Sequence, residues 1–284
     1  MRFLVTGTSG QLGYDVIREL QKRNYTEYLG VGREEMDITN ENSVMKTVTE
    51  YKPDVIFHCA AYTAVDKAED CKEEAYAVNV KGTRNIVKAA KEIDAKIIYI
   101  STDYVFDGTK EGLYEINDPV NPQSVYGKTK AEGEEYVKSY PKHFIVRTSW
   151  VFGIHGNNFV KTMLRLSETK NELGVVCDQI GSPTYTVDLA KALLDLALTN
   201  DYGTYHINND GYCSWAEFAE AIFKINHRNI TVNHIPTSEY KTKAIRPLNS
   251  KLSKQSLIEK GFSLLPSFED ALERYKNELE KENI

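Results

Sequence analysis

Tyr126 and Lys130 stand four residues apart in Tyr126-Gly127-Lys128-Thr129-Lys130, a spacing that puts both side chains on one face of a helix. A phenol with an ordinary pKa of about 10 is a weak proton carrier at neutral pH, and a nearby ammonium makes it more acidic. Such a pair suits protonation of a carbonyl oxygen as hydride reaches the carbon, with Lys130 also able to hold a nicotinamide ribose. An ordinary surface helix offers the same spacing, and the chain has 18 tyrosines to draw from. Company is needed. Ile100-Ser101-Thr102-Asp103 supplies it, because a hydroxyl at the C-terminal end of a parallel strand faces the ligand crevice. Thr102 can hydrogen-bond a substrate oxygen and complete a Thr/Tyr/Lys set; taken alone, it is an ordinary turn hydroxyl.

A second constellation opens the chain. Gly7-Thr8-Ser9-Gly10-Gln11-Leu12-Gly13 follows a first apolar run and leads into a helical pattern. In that setting Gly7, Gly10 and Gly13 provide a tight turn, close approach to a pyrophosphate and close helix-on-strand packing. The helix N-terminus adds free N–H groups and partial positive charge. A second apolar run ends Gly30-Val31-Gly32-Arg33. A carboxylate at that point reads the 2′-hydroxyl of NAD, whereas an arginine accommodates a 2′-phosphate. Arg33 therefore favours NADP(H), with NAD(H) also usable; the alternative is a solvated arginine beside Glu34 and Glu35. Asp37 and Ile38 follow, beside the adenine.

The elements that must position these groups alternate. Apolar strands are expected at 3–6, 28–31, 55–59, 97–100 and 144–147, with helices at 12–22, 42–51, 74–93 and 125–139 between them. Near-continuous apolar strands alternating with helices indicate a parallel sheet covered on both faces. The fold class is thus α/β, a Rossmann-type doubly wound parallel sheet with a smaller C-terminal α/β lobe. The domain expectation is 1–150 for the cofactor and 151–284 for the substrate, the second partly interleaved with the first. In the second part, helices are expected at 159–167, 187–198, 215–225 and 268–280, strands at 204–207 and 232–235, and a loop at 178–184.

Composition narrows the class. The 284 residues are 41% hydrophobic and 27% charged, enough for a substantial core. A formal net charge of −6 gives no footprint for nucleic acid, so an anionic substrate needs a local basic pocket. Cys59, Cys71, Cys177 and Cys213 form no close pair with metal or redox spacing and read as reduced thiols. The first residues lack the pattern of a signal peptide, and no apolar run approaches the ~20 residues of a membrane span, so the cytoplasm is the expected location.

These blocks resemble the extended short-chain dehydrogenase/reductase family over nearly the full length, and within it a branch acting on 4-keto nucleotide sugars. The glycine turn and the Tyr-x-x-x-Lys spacing belong to the whole family. More specific are Ala60-Ala61-Tyr62-Thr63-Ala64-Val65-Asp66-Lys67-Ala68-Glu69 and Ser101-Thr102-Asp103-Tyr104-Val105-Phe106. Also carrying the resemblance are Arg147-Thr148-Ser149-Trp150, Asn157-Asn158-Phe159, Asp178-Gln179-Ile180-Gly181-Ser182-Pro183-Thr184 and Arg246-Pro247-Leu248-Asn249-Ser250. The resemblance implies hydride transfer from NAD(P)H to C4 of the sugar, with Tyr126 as proton donor, Thr102 orienting it and Lys130 lowering its pKa.

It further implies that Gly10, Gln11 and Leu12 hold the pyrophosphate, Asp37 and Ile38 line the adenine site, and Ala60, Ala61, Tyr62 and Thr63 form the inner cofactor wall. Thr102, Asp103, Trp150 and Asn158 fall to the substrate, and Arg246 and Asn249 to its diphosphate or nucleoside. Trp150 suits the core as well, Arg246 a surface turn, and Asn79 either a proton-relay site or plain helix support. No counterpart of the acidic magnesium ligands found in some dimeric members is identifiable, so no metal is expected. The expected partner is a nucleotide sugar, neither nucleic acid nor membrane, with the chain a monomer or homodimer.

Three alternatives remain. A dehydratase needs an acid–base pair after the threonine, and Asp103 is followed by Tyr104. An epimerase, which regenerates its cofactor, shares the cofactor turn, Tyr126 and Lys130. A non-catalytic relative, the regulatory subunit of methionine adenosyltransferase, is disfavoured by the joint presence of Thr102, Tyr126 and Lys130.

Overall fold

The computed structural model describes residues 1–282. Its centre is a six-stranded parallel sheet built from β1 (Phe3–Thr6), β2 (Tyr28–Val31), β3 (Val55–His58), β4 (Lys96–Thr102), β5 (His143–Thr148) and, later in the chain, β10 (Gly203–His206). The order across the sheet is β10-β5-β4-β3-β1-β2. β1 therefore lies at the switch point, with β2 on one side and β3 on the other, and the crevice at its C-terminal end is where such sheets bind ligands.

Strand alternation explains the two covered faces. Phe3 and Val5 of β1 pack with Leu12, Val16 and Leu20 of α1 (Gln11–Lys22) and with Leu189 and Leu193 of α8 (Thr186–Ala197). Leu4 points the other way, into a cluster with Val44 and Val48 of α2 (Glu41–Tyr51), Ile86 and Ala89 of α5 (Thr83–Ile93), and Val137 of α6 (Val125–Lys138).

Between β3 and α5 the chain forms α3 (Val65–Asp70), α4 (Lys72–Tyr76) and a π-helical turn, Ala77–Gly82. The helix expected at 74–93 is thus two helices joined by a wider turn that carries Asn79.

Beyond β5 the chain leaves the sheet through β6 (Val151–Phe152) and α7 (Phe159–Ser167). A second cluster gathers Phe152, Val160, Phe218, Phe223, Phe268 and Tyr275. It joins α7, β7 (Glu172–Val176), α9 (Trp215–Ile225), β12 (Thr231–Ile235) and α11 (Phe268–Glu282). β7 pairs in parallel with β12. The segment expected as a loop at 178–184 holds β8 (Ile180–Gly181) and reaches β9 (Thr184–Tyr185), both only two residues long. β8 pairs antiparallel with β11 (Cys213–Ser214), and a short helix, α10 (Gln255–Glu259), precedes α11. Between these pieces the chain returns to the sheet, α8 packing on α1 and β10 pairing with β5. No helix among the described residues is long and apolar enough to cross a membrane.

Candidate active site

A cleft of about 730 Å³ opens at the C-terminal ends of β1, β3 and β4. Its floor is the glycine turn. Gly7 adopts φ +71°, and a Cβ there would lie 2.8 Å from the Ala60 Cα. A Cβ on Gly13 would lie 2.3 Å from the Gly7 carbonyl oxygen. The turn and the helix behind it can therefore close this tightly only without side chains. Gly10, the N-cap of α1, offers no side-chain cap, and the first turn carries no acidic residue. The helix end thus offers uncompensated N–H groups and positive potential to an anion in the cleft.

The remaining cofactor candidates ring this floor. Arg33 lies exposed at the rim beyond β2. The Asp37 carboxyl is held below its usual range by the Thr39 hydroxyl and amide, which donate to it at 2.8 and 2.9 Å. Ile38 is buried against Gly82. Ala60, Ala61, Tyr62 and Thr63 continue β3 along the opposite wall. Asn79 fixes that wall, accepting from the Tyr62 amide at 2.8 Å and donating to the Tyr62 carbonyl at 3.2 Å. Its amide also donates to the Thr129 hydroxyl at 3.0 Å, so one side chain bridges the wall to α6.

On α6, Ser124 caps the helix by accepting from the Gly127 amide at 3.1 Å. A Cβ on Gly127 would lie 2.2 Å from the Tyr104 carbonyl oxygen, so this glycine lets α6 press against the turn after β4. Tyr126, Lys130 and Thr102 accordingly line one cleft. Burial pushes the Tyr126 phenol well above its ordinary value, and the opposing pull comes from the Thr102 hydroxyl. Lys130, expected to lower it, is not among the groups that act on the Tyr126 phenol. Burial lowers Lys130 itself to about 7, against the carboxylate of Glu134 and the thiol of Cys59. The Lys130 Nζ lies 4.0 Å from the centre of the Tyr99 ring, a cation–π position. The physical outcome is a phenol that keeps its proton at neutral pH, the form a donor needs.

The substrate candidates divide. Asp103 is buried in the cleft wall, its carboxyl raised to about 6 by burial while the Ser250 and Thr102 hydroxyls donate to it at 2.5 and 2.9 Å. Trp150 lines the cleft with φ +48° and stacks on Trp215 at 3.7 Å between ring centres. Gly181 makes room for it, since a Cβ there would lie 2.7 Å from the indole.

Three residues expected to meet the substrate have protein partners. Asn158 caps α7 and donates its amide to the Gln11 side chain at 3.0 Å, so its polar atoms are taken by the protein. Asn249 donates to the carbonyls of Lys110 and Gly112 at 2.6 and 2.8 Å and holds a loop outside the cleft. Arg246 pairs with Asp66 at 2.6 Å and donates to the Tyr104 hydroxyl at 3.2 Å, which engages it behind the wall.

Tyr104 was not anticipated; it lines the cleft with its ring edge-on to Tyr126, 5.5 Å between centres. Ser149, at the end of β5, also lines it, and the strand-end rule that selects Thr102 selects this hydroxyl too. A second hollow of about 810 Å³ lies at the N-terminal ends of the strands, by Arg2, Lys52 and Tyr202. It has neither glycine turn nor strand C-termini, so the chemistry belongs to the first cleft. Among the described residues no group of three or more His, Cys, Asp or Glu side chains is placed to hold a metal ion.

Comparison with known proteins shows the family. Residues 1–281 match the family described as RmlD substrate binding domain. The chain is 44% identical over 279 residues to the dTDP-4-dehydrorhamnose reductase of Aggregatibacter actinomycetemcomitans, covering 94% of this chain and 95% of that one. It is 42% identical over 261 residues to the spore coat polysaccharide biosynthesis protein SpsK of Bacillus subtilis, covering 92% of each. The crystal structure of dTDP-4-dehydrorhamnose reductase from Bacillus anthracis in complex with NADP superposes with a TM-score of 0.95 at 44% identity, over 98% of this chain and 99% of that one.

Proposed function

The chain belongs to the RmlD substrate binding domain family, and from that premise we infer that it reduces the C4 ketone of dTDP-4-dehydro-β-L-rhamnose to give dTDP-L-rhamnose, the closing step of dTDP-rhamnose synthesis. It is an oxidoreductase that uses NADP(H), with NAD(H) as a possible substitute. The observation that carries this reading is the convergence of Thr102, Tyr126 and Lys130 on the same cleft as the glycine turn.

The cleft fits a dinucleotide. An uncapped helix N-terminus without acidic neighbours suits a pyrophosphate, and the turn leaves its backbone bare where side chains would obstruct it. Gly10, Gln11 and Leu12 would hold the pyrophosphate, Asp37 and Ile38 the adenosine, and Arg33 a 2′-phosphate; Ala60 to Thr63 would border the nicotinamide half. When bound, the reduced nicotinamide supplies the hydride that makes the ketone carbon an alcohol carbon.

The protein's own part is the proton. Tyr126, protonated because it is buried, donates from its phenolic oxygen to the carbonyl oxygen, which would otherwise carry the new negative charge. The Thr102 hydroxyl, which donates to Asp103 in this structure, would turn its proton to the same oxygen from the strand side. Lys130, below the phenol on α6, holds the ribose and steadies the tyrosinate left behind. Asp103 and Trp150 orient the sugar. In the division of labour proposed here, residues 1–150 carry the cofactor and 151–284 the nucleotide sugar, with α8 and β10 structurally part of the larger layer.

The test is an assay of purified protein with the dTDP-linked 4-keto sugar and NADPH. Loss of reduced-cofactor absorbance in step with formation of dTDP-L-rhamnose supports a reductase. Conversion of the sugar without net cofactor oxidation would assign the site to an epimerase instead.

A further inference from the structure

We propose that Asn158 is a positioning residue for the cofactor: it holds the Gln11 side-chain amide so that its NH₂ group, and not its carbonyl oxygen, is presented to the pyrophosphate at the glycine turn. The inference rests on the dinucleotide-binding reading of the cleft. It moves Asn158 from the substrate side to the cofactor side.

Gln11 is the first residue of α1 and lines the cleft beside Gly10. A primary amide has two faces of opposite character, two donors on nitrogen and two lone pairs on oxygen, and they interchange by a half-turn of the last bond. Beside a phosphate the two orientations are far from equivalent. Nitrogen outward gives a charge-assisted hydrogen bond, whereas oxygen outward sets lone pair against anion. Something must choose between them.

Asn158 makes the choice. Its Nδ2 donates to the Gln11 Oε1 at 3.0 Å, which only the oxygen can accept. Asn158 is itself fixed in the same sense. Its second Nδ2 proton goes to the Gly153 carbonyl at 2.8 Å, and the Tyr275 hydroxyl, 3.3 Å from Nδ2, donates to that same carbonyl at 3.1 Å. Its Oδ1 accepts from the Lys161 amide at 3.0 Å as the cap of α7. Every partner therefore specifies which end of the Asn158 amide is nitrogen. Among the described residues no hydrogen bond engages the Gln11 nitrogen, and Gln11 lines the cleft.

The surrounding loop is seated on the same turn of α1. His155 stacks on Tyr14 at 4.7 Å between ring centres, and a Cβ on Gly156 would meet the Gln11 side chain at 3.4 Å. Tyr275 lies on α11, so the C-terminal helix takes part in orienting a group at the N-terminal turn.

Two substitutions separate orientation from structure. Asn158→Ser and Asn158→Asp both keep a side-chain oxygen able to cap α7, but neither offers an amide donor to Gln11. Serine leaves Gln11 free to turn; aspartate, an acceptor, draws the Gln11 nitrogen inward and turns its oxygen to the phosphate. NADPH affinity is measured directly by the fluorescence of the bound cofactor, with melting temperature recorded alongside. The dissociation constant should rise about tenfold for Asn158→Ser, the scale of one hydrogen bond to a charged group, and further for Asn158→Asp. The KM for the keto sugar should stay within about twofold, a margin set by measurement scatter well below one hydrogen bond.

In the Gln11→Ala background, Asn158→Ser should cause no further loss, because the group it orients is gone. An equal loss in both backgrounds, or a raised KM for the keto sugar with NADPH affinity unchanged, overturns the proposal. Direct binding does not depend on turnover. Failure to reduce the keto sugar with this affinity order intact would therefore remove the assigned reaction and leave the role of Asn158 standing.

Discussion

Arg147 clasps Glu134 inside the protein, its Nε donating to Oε1 at 2.9 Å and its Nη2 to Oε2 at 2.7 Å, with both side chains almost wholly out of solvent. Glu134 stands two turns beyond Tyr126 on α6, and Arg147 lies on β5. The Ser101 hydroxyl, one residue before Thr102, donates to the same Oε1 at 2.6 Å. The pair thus locks the helix bearing the proton donor to the two strands whose ends form the cleft wall.

Removing one partner strands the other's charge in a low-dielectric site, which costs far more than a surface pair is worth. Arg147→Met should lower stability by about 3–5 kcal/mol, read from urea unfolding at pH 7. A change below about 0.5 kcal/mol, ordinary for surface substitutions, would show that the pair does not anchor α6.

Tyr126→Phe removes the phenolic proton and little else, since the ring keeps its edge contact with Tyr104. Turnover should fall by about 10²-fold or more, the scale of general acid catalysis, with NADPH affinity nearly unchanged. Wild-type turnover in this variant would place the proton donor elsewhere.

Arg33→Ala tests the 2′-phosphate contact. The side chain is exposed at the rim, so its loss should leave the fold intact, weaken NADPH binding by about tenfold, the worth of one charge-assisted contact, and hardly affect NADH. Equal losses for the two cofactors would mean that Arg33 serves only the general potential of the cleft.

The readable part of this protein was the local part. Tyr126 and Lys130 declare themselves by a four-residue spacing, Thr102 by its place at a strand end, and the glycine turn by its position between the first strand and first helix; each rule operates within one element or one turn. The protein partners of Asn158, Arg246 and Asn249 were not legible, for the opposite reason. Their partners Gln11, Asp66 and Lys110 lie 147, 180 and 139 residues away, and no periodicity registers a pairing at that distance. The π-helical turn was hidden because it spans only six residues, Ala77–Gly82, inside an otherwise helical run. β8 and β9 were hidden because two residues are too short to alternate.

Two buried histidines make stability depend on pH. His58, between the Thr6 and Thr83 hydroxyls at 3.0 and 3.1 Å, is lowered to about 3 by burial and then by the Lys130 charge. His206 is lowered to about 3 by burial and the Arg147 charge. An unfolded chain takes up these protons below about pH 6.5, while the folded chain refuses them until about 3. Between those values the unfolded state binds more protons, so stability rises with pH and is lost on acidification. From pH 7 to pH 5 each histidine should remove about 2 kcal/mol, at about 1.4 kcal/mol per pH unit. Asp103 opposes them, because its raised pKa makes the folded state the better proton binder between its ordinary value and about 6. The net fall should still be about 2–3 kcal/mol, measured by urea unfolding at the two pH values. In His206→Gln the fall should shrink by about 2 kcal/mol, whatever that variant's stability at pH 7. A fall of wild-type size in that variant would show that His206 takes up its proton in the folded protein.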